Sequence, residues 1–249
     1  MTKYYVSAKI ANLDIGAEIE AENQHMAPIA FKETYDHLLR FGSHKLRILG
    51  VEEVYKAPKR LTDILFDKDS REDIFRQFLK YETDVSYDWF MQYFEEEQAD
   101  RKNKKQDFTP KSVSTLLSKI ISGNQYYEVA VGTGGILIQA WQEQRLNDSP
   151  FTYRPSKYWY HVEELSDKAV PFLLFNMSIR GINGVVVHGD SLTRQVKNIY
   201  FLQNTKDDML SFSDINVMPR TQDIEREFNV KEWIGDGIEH IENPLIEWI

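Results

Sequence analysis

The sequence predicts an α/β fold in which a mainly parallel sheet is preceded by a helical N-terminal region. Three observations carry this expectation. Short apolar strand patterns recur between residues 127 and 187, helical stretches separate them, and a glycine-rich turn follows the first of them directly. With 249 residues, 42% of them hydrophobic, the chain can bury one large core or a core domain carrying a smaller helical one.

Residues 1 to about 98 read as mainly helical, charged side chains alternating with apolar anchors. Ile64, Ile74, Phe75, Phe78 and Leu79 can share one core, and Trp89, Phe90, Tyr93 and Phe94 repeat at helix-compatible spacing as packing groups. Lys56-Ala57-Pro58-Lys59 marks a break between helices. The polar stretch Asp100 to Asp107 reads as a link, which sets a helical region at 1–104 and an α/β domain at 105–249. Thr109-Pro110 then opens a helix, threonine capping an orphan amide and proline filling the first turn, with Val113, Leu116, Leu117 and Ile120 on one face.

Tyr127 to Val131 reads as a buried strand, Gly134 to Arg145 as a helix, and Tyr158 to Val162 as a second strand. Asp167 to Arg180 is helical apart from the irregularity of Pro171, and Val185-Val186-Val187 is the third strand. Beyond Asp190, Thr193 to Phe201 fits a helix or an edge element, Asn204 to Asp208 a polar turn, and Phe212 to Val217 a return to the sheet. Trp233, Ile234, Leu245, Ile246 and Trp248 cover the core or join a partner.

The chain has no cysteine, which excludes disulfides, thiolate metal sites and a cysteine nucleophile, and makes cytoplasmic residence the simplest expectation. No apolar run approaches membrane-spanning length. A formal charge of -9 opposes attraction to nucleic acid over the whole surface, although Arg101, Lys102, Lys104 and Lys105 form a local basic cluster. His161 and His188 have no accompanying ligand set for a transition metal, and no serine nucleophile is marked by its context.

Val131-Gly132-Thr133-Gly134-Gly135 carries the functional reading. A glycine turn between strand and helix allows close backbone approach and aims amides at a ligand, with Gly132, Gly134 and Gly135 shaping the loop and Thr133 orienting it through its hydroxyl. It is neither a complete phosphate loop nor a complete Gly-x-Gly-x-x-Gly fingerprint. Glu164, just beyond the second strand, can accept from two ribose hydroxyls, and Asp190, just beyond the third, can orient an adenine or sugar group. Together these residues predict a pocket for a nucleoside-containing cofactor.

Several segments resemble the modification subunits of type I restriction systems and related N6-adenine DNA methyltransferases. They are Gln106-Asp107-Phe108-Thr109-Pro110, the Val131–Gly135 loop, Glu163-Glu164-Leu165 leading to Phe175-Asn176-Met177-Ser178-Ile179-Arg180-Gly181-Ile182, and His188-Gly189-Asp190-Ser191-Leu192. The resemblance covers roughly residues 105 to 220 and implies a Rossmann-like methyltransferase fold that binds S-adenosyl-L-methionine. It implies Phe108, Thr109 and Pro110 near the methionine portion, Gly132, Thr133, Gly134 and Gly135 at its backbone, Glu164 at ribose and Asp190 near adenine. Glu164 is preferred over Glu163 because it lies twelve residues before Asn176.

Such relatives carry Asn-Pro-Pro followed by an aromatic residue, which holds the extruded adenine. Here Phe212-Ser213-Asp214-Ile215-Asn216-Val217-Met218-Pro219-Arg220 stands in its place, leaving Asn216 as the candidate amine-orienting residue and Phe212 as a wall. Asn243-Pro244 reads as a helix break. The resemblance therefore implies an adenine-N6 DNA methyltransferase or a subunit of one, with Lys102, Lys104 and Lys105 touching phosphate. Its partner would be DNA together with a specificity subunit, another protein or a second copy of the chain. The alternatives are a cofactor-binding pseudo-methyltransferase that regulates or inhibits a restriction-modification assembly, and a methyltransferase acting on small molecules or protein.

Overall fold

The computed structural model describes residues 2–10, 13–35, 47–53, 57–91, 123–149 and 151–243. It divides into two units, Met1–Arg60 and Leu61–Ile249. The boundary expected between 104 and 105 lies outside the described residues, as do Tyr93, Phe94, the Asp100 to Asp107 link, and the helix expected from Thr109.

The first unit corrects the expectation of a helical N-terminal region. Strand β1 (Thr2–Ile10) pairs antiparallel with β2 (Leu13–Ala21) on one side and β3 (Arg47–Glu53) on the other, and a single helix, α1 (Ala27–Tyr35), follows β2. Ala and Glu in Gly16-Ala17-Glu18-Ile19-Glu20-Ala21 favour a helix by propensity, but the period-two alternation decides. Ile19 and Ala21 are buried on one face with Tyr4, Val6 and Ala8, while Glu18 and Glu20 face away, opposite Tyr5 and Lys3. Ala27 and Phe31 of α1 complete that core.

Helices α2 (Ala57–Phe66) and α3 (Lys68–Phe78) follow in the chain, the boundary between the units falling within α2. Pro58 sits in the first turn of α2, where a missing amide breaks no bond, and Asp67 caps α3 by accepting from the Ser70 amide at 2.9 Å. The remaining elements are β4 (Gln125–Val129), α4 (Gly135–Asn147), β5 (Trp159–Glu164), α5 (Ala169–Ile179), β6 (Gly184–Gly189), β7 (Gln195–Gln203), β8 (Asp214–Val217), α6 (Gln222–Glu227) and β9 (Glu232–Trp233). Pro171 is tolerated because it also lies in a first turn, that of α5.

The sheet runs β4-β5-β6-β7-β8, with β9 paired to β7. It is mixed, which corrects the expectation of a mainly parallel sheet. Helical crossovers through α4 and α5 make β4, β5 and β6 parallel, whereas only residues 190–194 join β6 to β7. A connection that short permits only an antiparallel turn, so the stretch read as a helix or edge element becomes a long antiparallel strand. β8 is antiparallel again, on β7.

One face of the sheet carries Tyr126, Tyr160, Val162, Val186, Tyr200, Leu202, Ile215 and Val217 against Leu137, Ile138 and Trp141 of α4, the buried α5, and Phe75 of α3. Phe175 is the hub of the aromatic packing, with Phe75 and Phe78 edge-on at 4.8 and 5.4 Å and Phe90 at 5.2 Å. Trp89 also packs on Phe175, and both Trp89 and Phe90 lie in a turn rather than on a helix. On the opposite face, Val185, Val187, Val196 and Ile199 pack under Ile224, Phe228 and Trp233. Among the described residues no helix is long and apolar enough to cross a membrane.

Arg71, 1% exposed, binds α3 to β8 by donating to Asp214 Oδ1 at 2.8 Å and to the Leu65 carbonyl at 2.7 Å. Lys68 adds a second cation at 3.0 Å from Asp214 Oδ2. Asp214→Ala leaves the buried guanidinium uncompensated and should cost about 3–5 kcal/mol in urea unfolding, whereas an unchanged midpoint would deny the pair any structural weight.

Candidate cofactor site

The glycine loop begins where β4 is forced to end. Ala130 takes φ 54°, Gly132 62° and Gly134 101°, so three left-handed residues alternate over five positions, and the strand stops at Val129 rather than Val131. Gly134 caps α4 at a φ that favours glycine, and a Cβ there would approach Leu173 Cδ1 to 3.2 Å, a tight contact. The Gly132 amide does not await an outside anion. It donates to Glu164 Oε2 at 2.7 Å, the Gly134 amide donates to the Val131 carbonyl at 3.1 Å, and the Val131 amide to the Glu163 carbonyl at 3.2 Å.

Glu164 stands at the end of β5, 7% exposed, and its other oxygen accepts from the Ser166 amide at 2.7 Å. Each carboxylate oxygen holds two lone pairs, so one on each remains for a hydroxyl donor. Strand alternation sends the neighbouring Glu163 to the opposite face, where it accepts from Tyr127 Oη at 3.0 Å and Arg194 Nη1 at 2.6 Å. Burial raises the Glu163 pKa, but donors from His161, Arg194 and Tyr127 outweigh it and leave the carboxyl below its ordinary value. The two glutamates therefore do different work. Glu164 serves the loop, and Glu163 ties down the β6–β7 turn through Arg194, which also donates to the Phe228 carbonyl at 2.6 Å.

A second acid that sequence reasoning did not single out lies near Glu164. Glu128, on the same face of β4 as Tyr126, accepts from Tyr126 Oη at 2.6 Å. Burial pushes its pKa up to about 7, the Tyr126 bond opposes the rise and the charge of Glu164 adds to it. The available signal was a lone acid inside an otherwise apolar strand, two residues ahead of the loop. A loop bordered by two carboxylates repels phosphates and suits hydroxyl donors and cations.

Asp190 follows directly on β6, the strand next to β5, and its Oδ1 accepts from the Leu192 amide at 2.8 Å and the Thr193 amide at 3.3 Å. These bonds hold its carboxyl below the ordinary range. Asp190 shapes a turn that leaves Leu192 exposed beside it. His188 pairs with Asp167 rather than Asp190. Its Nε2 lies 3.0 Å from Asp167 Oδ1, and burial lowers its pKa to about 4.

Thr133 is buried, and its hydroxyl donates to Asp88, while Gly135 opens α4. The structure thus joins Gly132, Thr133, Gly134, Gly135 and Glu164, and puts Asp190 one strand away. It does not bring Asn216 to them. Asn216 lies on β8, at the far end of the sheet order from β4, about 19 Å across at roughly 4.8 Å per strand. Its amide, 6% exposed, donates to the Phe201 carbonyl at 3.2 Å and accepts from the Asn243 amide at 2.6 Å, so it anchors the closing segment. The cause is topological, because the antiparallel β7 carries the chain away from β4 before β8 forms. Phe108, Thr109 and Pro110 lie outside the described residues, as do Arg101, Lys102, Lys104 and Lys105.

A family model described as N-6 DNA Methylase matches residues 83–216. The match begins upstream of the segment where the sequence resemblance starts and takes in Asp88. No curated protein matches the sequence. Because the matched span exceeds half of the 249 residues and contains the glycine loop, Glu164 and Asp190, the chain belongs to the N-6 DNA methylase family.

Proposed function

We propose that the chain binds S-adenosyl-L-methionine between the Gly132–Gly135 loop and Glu164 and serves an adenine-N6 DNA methyltransferase, as the methylating chain or as a subunit. The observation that carries this reading is the 2.7 Å contact between the Gly132 amide and the Glu164 carboxylate at adjoining strand ends, with Glu128 close by. The open lone pairs of Glu164 suit the two ribose hydroxyls, and the two acids suit a cationic tail where a dinucleotide or triphosphate would be repelled. Asp190 and the exposed Leu165 and Leu192 offer polar and apolar contacts for the base. When bound, the cofactor supplies an activated methyl group. The chain's own residues orient the nucleoside and balance its charge.

In this reading the amine-orienting group for adenine comes from outside Asn216, and the partner is a DNA-reading specificity subunit of the kind that type I restriction systems use. The buried, hydrogen-bonded state of Asn216 also favours a second reading, a cofactor-binding pseudo-methyltransferase that regulates such an assembly. Transfer of a radiolabelled methyl group to adenine in double- or single-stranded DNA, with candidate partner subunits present, supports the first. Calorimetric cofactor binding with no transfer to DNA or protein supports the second.

Two outcomes are expected from binding measurements. Glu164→Ala and Gly134→Asp should each weaken S-adenosyl-L-methionine roughly 10- to 100-fold while the circular dichroism spectrum is retained. Unchanged affinity would remove the loop from the site. Glu128 is protonated below about pH 7 and charged above it, so affinity for the cationic ligand should rise as pH increases through that value. The gain from one unit below to one unit above is about tenfold if only the charged form binds. Glu128→Gln should flatten this dependence beyond what the ligand's own titration produces, and an identical profile in the variant would exclude Glu128 from the site.

A further inference from the structure

The glycine loop is held from behind by a segment more than forty residues upstream. Asp88 Oδ2 accepts from the Thr133 hydroxyl, and Oδ1 accepts from Asn176 Nδ2 at 2.9 Å and from the Phe90 amide at 3.0 Å. Asn176, 0% exposed, divides its amide protons between Asp88 and the Thr133 carbonyl, the latter at 2.8 Å. Its Oδ1 accepts from Arg180 Nη1 at 2.8 Å. Arg180 donates in turn to the Val85 carbonyl at 2.8 Å and the Tyr87 carbonyl at 2.7 Å, and lies 4.1 Å above the Trp89 ring. Gln139 of α4 closes the set by donating to the Ser86 carbonyl at 2.7 Å. Residues 85–90 are thus bonded to α4, to α5 and to the loop.

The geometry points to Asp88 as a positioning residue that fixes the conformation of the glycine loop and thereby the affinity for the methyl donor. Thr133 lies between two left-handed glycines, Gly132 at φ 62° and Gly134 at φ 101°, where backbone stiffness is lowest. Its hydroxyl and its carbonyl are both held, and Asp88 contacts the first directly and the second through Asn176. One peptide earlier, the Gly132 amide must stay aimed at Glu164. Releasing Thr133 frees that peptide to turn away and lets Glu164 relax with it. Asp88 acts through Thr133 rather than by touching the ligand. The carboxylate also serves as counter-charge for Arg180, whose pKa burial lowers to about 9 while Asp88 opposes the fall.

This inference rests on the proposed cofactor site, and its test separates the two. Amide hydrogen exchange of the unliganded protein is compared for wild type, Asp88→Ala, Asp88→Asn and Thr133→Val, followed by calorimetry with S-adenosyl-L-methionine. Asp88→Ala and Thr133→Val should each speed exchange at Gly132 and weaken binding roughly tenfold. The double variant Asp88→Ala/Thr133→Val should be no worse than Asp88→Ala alone, because the Thr133 hydroxyl acts through Asp88. Asp88→Asn should restore most of both properties, since its amide can accept from Asn176 and donate to the Thr133 oxygen. A role confined to packing would lower the melting temperature with Gly132 exchange and affinity within about twofold of wild type, and that result overturns the proposal. If Asp88→Ala fails to fold, Thr133→Val alone decides by the same two readouts. Faster Gly132 exchange in a protein whose wild type binds no S-adenosyl-L-methionine upholds the loop assignment and rejects the ligand.

Discussion

The bond from the Gly132 amide to the Glu164 carboxylate joins the ends of two parallel strands and sets the form of the site. A carboxylate that is 7% exposed is costly without donors, and Glu164 has two, Gly132 and Ser166, at opposite oxygens. To deliver its amide, the loop must hold left-handed residues at positions 130, 132 and 134, one of them an alanine. Such a conformation persists only where surrounding contacts over-determine it. The packing of Leu173 against Gly134 and the clamp on Thr133 provide those contacts.

This arrangement gives an otherwise ordinary glycine turn its chemical character. A loop whose amides stay unpartnered is an anion cradle, and its natural ligands are phosphates. Here the amide of Gly132 serves a carboxylate of the protein itself, and Glu128 adds a second acid whose proton is held to about pH 7. Acids in these places oppose phosphates and suit hydroxyl donors and positive charge, which is the basis of the proposed ligand class.

The parts of the candidate site legible in the sequence are those set by local rules. The loop follows from glycines between an apolar strand and an apolar helix, and Glu164 follows from its place at the end of the next strand. Strand alternation gives the choice of Glu164 over Glu163 a physical basis, because the two side chains leave on opposite faces. What stayed hidden depended on distant partners. Nothing near Asp88 in sequence indicates Thr133 or Asn176 as its partners, and the weight of Glu128 comes from Tyr126, Glu164 and burial acting together. The N-terminal strands read as helical because alanine and glutamate favour helices where period-two burial selects a strand. Asn216 lies away from the loop for a topological reason, since a five-residue turn between β6 and β7 reverses the chain and carries β8 to the far end of the sheet.

The most direct measurement is backbone amide NMR of the intact chain titrated separately with S-adenosyl-L-methionine and with ATP. The account requires saturable shifts at Gly132, Gly134 and Ser166 with the methyl donor and none at these positions with the triphosphate. Shifts confined to other elements, or an equal response to both ligands, would contradict a site built by Gly132 and Glu164 for a cationic nucleoside.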